Sequence, residues 1–145
     1  MLLREIGPAL ASLYDEVPTV VLGPVSRGSL VGALTAAAVG VGFVEMRKAA
    51  GSAVDSDRWV SRTTGPDYQD RQQVFGFRRQ LVRSGDRVLM VDDWADTGAT
   101  AVVGKALVEE CGARWIGAAC IVDGMMDPRL RHELPLRALL DVRQL

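Results

Sequence analysis

The chain has 145 residues, 48% of them hydrophobic, which suits one compact domain with its own core. Its 17 basic and 18 acidic side chains leave a formal charge of −1, so no chain-wide positive field holds a nucleic acid polymer or an anionic membrane. No apolar run reaches the roughly 20 residues of a membrane span, and "MLLREIGPAL" lacks a signal-peptide pattern, so the expected location is the cytoplasm.

Residues 2–16 place Leu2, Leu3, Ile6, Leu10 and Leu13 at helical spacing, predicting a short amphipathic helix despite Gly7 and Pro8. "TVVLG" (19–23) reads as a buried strand closed by Gly-Pro, residues 28–40 as a helix rich in small residues that can lie close to a sheet, and "FVEM" (43–46) as a second strand. From Arg47 to about Gln73 the chain is polar and turn-rich, which predicts a functional loop. "VFGFRRQLV" brings the chain back as a strand or a short helix, and "RSGD" is a turn. "RVLMV" (87–91) is the clearest buried strand, residues 100–112 form an amphipathic helix ended by Gly112, and "RWIGAACIV" (114–122) is another strand. "LRALLDV" closes the chain as an edge strand. Cys111 and Cys120 lack metal-ligand spacing and only His132 could assist them, so both are expected as reduced core residues and no protein metal site is expected.

Strands alternating with helices predict an α/β fold with a mostly parallel central sheet flanked by helices. Ligands of such sheets sit beyond the carboxyl ends of the strands, which places the loops after Gly23, Met46, Val91 and Val122 on one rim. On that rim "VLMVDDWADTGAT" (88–100) joins an apolar run to three carboxylates and a cluster of small and hydroxyl residues. Thr97 to Thr100 at a helix start can wrap a phosphate with amides and hydroxyls, while Asp92 and Asp93 would repel that phosphate and instead suit sugar hydroxyls or a cation. One ligand satisfies both halves: a ribose 5-phosphate. The alternative is an acidic strand end followed by a capped helix. Gly23 and Gly28 have the glycine spacing of a nucleotide P-loop, but Ser29 stands where its lysine would be.

This stretch resembles the phosphoribosyl pyrophosphate (PRPP) signature of the type I phosphoribosyltransferases, a Rossmann-like α/β family. Residues 20–51, with "GPVSRG" and the Arg47-Lys48 pair, resemble its adenine branch. The resemblance, over roughly residues 19–123, implies that Asp92 and Asp93 hold the ribose hydroxyls and that Asp96, Thr97, Gly98, Ala99 and Thr100 surround the 5-phosphate. Ser26, Arg27, Gly28, Arg47 and Lys48 would meet the pyrophosphate, and Mg²⁺ would arrive bound to PRPP. Ala99 stands where many relatives have glycine.

By the same resemblance the polar 49–73 segment closes over the substrates, carrying Tyr68 either as a participant or as an exposed loop residue. Arg27 would stabilise the leaving group. Asp96 stands where 6-oxopurine relatives have aspartate and adenine relatives alanine, so it is either a general base or the helix cap. Only 18 residues precede the first strand, implying a reduced hood, with Val122 and Asp123 left to hold the base. The implied activity is transfer of ribose 5-phosphate from PRPP to a purine-type base, in a homodimer. A PRPP- or nucleotide-sensing module and a transferase for an unusual heterocycle are the alternatives.

Overall fold

The computed structural model describes residues 2–48, 58–65 and 72–145. The elements run α1 (Leu3–Ala11), β1 (Val20–Pro24), α2 (Arg27–Val39), β2 (Gly42–Lys48), β3 (Trp59–Thr63), β4 (Val74–Arg78), β5 (Arg87–Ala95), α3 (Ala99–Glu110), β6 (Arg114–Asp123), α4 (Pro128–Glu133) and β7 (Leu136–Asp141). They build a seven-stranded sheet in the order β3-β4-β2-β1-β5-β6-β7. The strands β2, β1, β5, β6 and β7 are parallel, and β4 and β3 add an antiparallel hairpin at one edge.

Both sheet faces are covered, which is why the central strands read as unbroken apolar runs rather than alternating ones. Val21, Leu89 and Val91 face one way and pack with Leu10 of α1 and Val31 of α2. Leu22, Val88 and Met90 face the other way and pack with Val103 and Leu107 of α3 and with Trp115. The first helix packs against α2 and the β6–β7 side of the sheet. Cys111 and Cys120 are free thiols, half-buried and buried respectively, as expected.

Three expectations are corrected. The first helix ends at Ala11 rather than near residue 16, because the following turn is pinned by tertiary bonds. The buried Tyr14 hydroxyl sits between the carbonyls of Ala118, at 2.8 Å, and Pro135, and donates to one of them at a time. The 47–73 segment is not all loop: β2 continues to Lys48, and β3 pairs antiparallel with β4. Residues 74–82 bring the chain back as a strand, one of the two expected readings, followed by a 3₁₀ turn at Arg79–Leu81. The strand after Arg87 does not stop at Val91. It runs to Ala95 because Asp92 and Trp94 pair with Cys120 and Val122 of β6, so the acidic pair belongs to the strand itself.

Removing the Tyr14 hydroxyl leaves buried carbonyls without their donor. Tyr14→Phe is therefore expected to cost about 1–3 kcal/mol of stability and to lower Tm by about 2–4 °C per kcal/mol in thermal melts, with ligand binding at the rim unchanged.

Candidate active site

The carboxyl ends of β1, β2, β5 and β6 form one rim, and the acidic pair stands on it at the end of β5. Asp92 is half-buried, and its carboxylate accepts the Asp93 N–H at 2.8 Å. Burial, and after it the neighbouring Asp93, push the Asp92 carboxyl up to about 7. The Asp93 carboxylate accepts the Trp94 N–H at 2.8 Å and pairs with Arg27 Nε at 2.9 Å. Gly28 is glycine because the strand end and the first turn of α2 meet there. A Cβ would stand 2.7 Å from Pro24 Cδ and 2.8 Å from Asp92 Oδ1.

Beyond β5 the chain turns through Asp96, Thr97 and Gly98 into α3. Gly98 is the N-cap and takes φ 83°, a left-handed conformation suited to glycine. The Ala99 N–H is held by Thr97 Oγ1 at 3.2 Å, and Val102 N–H makes a helical bond to Gly98 O at 2.9 Å. The N–H groups of Thr100 and Ala101 precede that bond, so the helix offers them, with its positive end, to an anion. Asp96 is exposed and takes no part in this cap, which removes the helix-cap alternative. Asp92, Trp94, Asp96 and the 97–100 turn line a cavity of about 130 Å³ backed by Ala118 and Cys120.

The expected pyrophosphate side lies across β1. Ser26, Arg27 and Gly28 open α2 after a cis Val25–Ser26 peptide. Arg47 and Lys48 end the adjacent β2, whose Met46 is in register with Pro24 of β1. Arg27 is 83% exposed, and Arg47, also exposed, lies 3.5 Å from Glu45, whose other oxygen accepts the Ser29 hydroxyl at 2.8 Å. The structure thus brings together on one rim the acidic pair, the 96–100 turn and the five residues expected to meet a pyrophosphate.

Two expected contributors lie on this rim but are buried. Val122 and Asp123 are each 8% exposed within β6, so they do not present a side-chain surface to a base. The Asp123 carboxylate is already committed to Arg131 Nε at 2.7 Å and to the Met125 N–H at 2.8 Å, which makes it a structural anchor. Tyr68 lies outside the described residues. The residue the sequence reading missed is Trp94, 44% exposed on the cavity wall. A Cβ on Gly124 would stand 2.8 Å from its Nε1, so the ring rests against the chain after β6. A tryptophan directly after the acidic pair, in "DDWADTG", is the sequence signal for it.

Comparison with known proteins agrees with this geometry. The phosphoribosyl transferase domain family matches residues 2–140. The chain is 35% identical over 127 residues to the adenine phosphoribosyltransferase of Nitrosospira multiformis, an alignment covering 83% of this chain and 67% of that one. The Acidovorax sp. enzyme of the same name is 35% identical over 128 residues, covering 86% and 67%. Among solved structures, the adenine phosphoribosyltransferase of Rhodothermus marinus superposes with a TM-score of 0.80 at 27% identity, covering 97% of this chain and 79% of that one. The Saccharomyces cerevisiae enzyme, solved with an imino-altritol bisphosphate and adenine, gives 0.78 at 28% identity, covering 95% and 77%. The chain spans about two thirds of the length of these curated relatives. With the family match across nearly its whole length, the chain belongs to the type I phosphoribosyltransferases, on their adenine branch.

Proposed function

We propose that the protein transfers the 5-phosphoribosyl group of PRPP to a ring nitrogen of a purine base and releases pyrophosphate. The observation that carries this is the pairing, at one strand end, of two carboxylates with an open helix N-terminus. Donor groups suit the carboxylates and an anion suits the helix, and a phosphorylated sugar supplies both. Asp92 and Asp93 accept the ribose hydroxyls. The amides of the 98–101 turn, with the Thr97 and Thr100 hydroxyls, hold the 5-phosphate. In the reaction the bond from sugar C1 to the pyrophosphate oxygen breaks as the bond from C1 to the base nitrogen forms, and the nitrogen's proton leaves to Asp96 or to solvent. Arg27, Arg47 and Lys48 spread the charge that collects on the leaving pyrophosphate. In the free protein Arg27 is held by Asp93, so substrate entry exchanges that ion pair for contacts of each partner with PRPP.

No group of three or more His, Cys, Asp or Glu side chains among the described residues could hold a metal. The acidic pair fits a Mg²⁺ that would arrive with PRPP, keep most of its waters and supply positive charge to the pyrophosphate. Trp94 offers the base a flat apolar face on the cavity wall. The relatives named above act on adenine by their names, and adenine is the first base to test, with hypoxanthine and guanine beside it because of Asp96. A homodimer in the cytoplasm completes the reading. Among the described residues no helix is long and apolar enough to cross a membrane.

The test is pyrophosphate release from PRPP and Mg²⁺ with each base. Turnover with one purine supports the reading, whereas tight PRPP binding with no product from any base supports a sensing module instead. With the accepted base, Asp96→Ala is expected to lower kcat about 100-fold, the loss of a general base. Unchanged kcat would remove Asp96 from the chemistry.

A further inference from the structure

Behind the phosphate turn lies a polar clamp that the mechanism does not use. We infer that Asp123 and Arg131 position the phosphate-binding turn by fixing the backbone of Met125, an inference that rests on the phosphate site read above. The Asp123 carboxylate accepts the Met125 N–H at 2.8 Å, and Arg131 donates to the Met125 carbonyl, so both polar groups of that residue are held. The two clamping side chains are locked to each other, with Arg131 Nε 2.7 Å and one terminal nitrogen 3.3 Å from the carboxylate. The pair is shielded, at 10% side-chain exposure for Asp123 and 31% for Arg131, and in such surroundings a fork-shaped guanidinium fixes direction as well as charge.

The held residue is the one that touches the turn. The Met125 side chain is 4% exposed. At Gly98 a Cβ would stand 3.0 Å from Met125 Cε and 2.9 Å from Cδ2 of Leu130, the neighbour of Arg131. The clamp therefore sets the wall against which the left-handed Gly98 rests, and Gly98 sets the direction of the α3 amides. The same segment steadies the strand end, since Gly124 N–H donates to Ala95 O at 2.7 Å. A misplacement of about 1 Å in the groups that position a substrate costs up to about 100-fold in rate. Asp123 and Arg131 are thus positioning residues rather than ligands, which accounts for a shielded ion pair at the end of β6, the strand beside β5 and its acidic pair.

The experiment is calorimetry of ribose 5-phosphate and of magnesium pyrophosphate on the wild type, Arg131→Gln and Arg131→Lys, with folding checked by thermal melts. Arg131→Gln is expected to weaken ribose 5-phosphate at least about tenfold, to leave pyrophosphate within about twofold, and to be partly rescued by Arg131→Lys. Folded Arg131→Gln that binds ribose 5-phosphate like the wild type, or loses both ligands equally, overturns the inference. A wild type that binds neither ligand overturns the site reading, and the clamp falls with it. Methyl-labelled methionine in the wild type supplies a test that needs no variant. Ribose 5-phosphate is expected to shift the Met125 methyl resonance and leave that of Met126, 88% exposed, in place; an unmoved Met125 signal overturns the inference.

Discussion

Asp92→Asn is expected to lower kcat/KM for PRPP about 100-fold or more while making the protein more stable at pH 8. The first effect is loss of a charged acceptor for a ribose hydroxyl, worth about 1.5–3 kcal/mol for each such bond. The second follows from the carboxyl's raised affinity for its proton. In the folded protein burial and Asp93 hold Asp92 up to about 7, against 3.8 for a free carboxyl. Between those values the folded state binds more protons than the unfolded one, so stability is full below about pH 4, falls as pH rises, and reaches its low plateau above about 7. Asparagine removes that loss. The Tm gain of the variant is therefore expected to be near zero at pH 4 and to open by several degrees by pH 8, at about 2–4 °C per kcal/mol. The same titration predicts that wild-type kcat/KM for PRPP drops as pH falls below about 7, because a protonated Asp92 accepts a hydroxyl less well. Retained turnover in the variant, or a Tm difference that ignores pH, would contradict this account.

Gly98→Ala is expected to weaken ribose 5-phosphate about 100-fold and to cost about 1–3 kcal/mol of stability. Two separate penalties meet at this position. The backbone has φ 83°, which is unfavourable for any residue with a Cβ, and the added methyl meets the side-chain ends of Leu130 at 2.9 Å and Met125 at 3.0 Å, which must swing aside to admit it. Gly85 separates them. It has φ 92° in the turn before β5, with nothing within 4 Å of its Cβ position. Gly85→Ala is expected to lose about 1 kcal/mol and to bind ribose 5-phosphate normally. Equal binding losses in the two variants would show that general destabilisation, and not the shape of the phosphate turn, governs affinity.

The features legible in the sequence were those whose cause is local or fully buried. Val20–Leu22 and Val88–Val91 are buried on both faces, so their apolar runs announced central strands, and the alternation with helices predicted the parallel sheet and its rim. The turn into α3 was readable because hydroxyl, glycine and acidic residues cluster within ten positions after a buried strand. Strand β3 was hidden because Val60 is its one fully buried residue, at 1%, and its pairing partner lies across residues outside the described chain. The extension of β5 through two aspartates was hidden for a related reason, since its hydrogen bonds come from β6 and acidic residues are poor strand formers on their own. The place of Asp123 at a strand end marks it as a rim residue, but nothing local shows what claims its carboxylate. The partner that claims it, Arg131, comes from a six-residue helix with no apolar period to reveal it.

A crystal structure with ribose 5-phosphate tests the central claim most directly. The account predicts phosphate oxygens within hydrogen-bonding distance of the amides from Gly98 to Ala101 and of the Thr97 and Thr100 hydroxyls, with the 2′- and 3′-hydroxyls on Asp92 and Asp93 and the Arg27–Asp93 pair released. A phosphate seated on Arg47 and Lys48 with the α3 N-terminus bare, or a sugar turned away from the acidic pair, would contradict it.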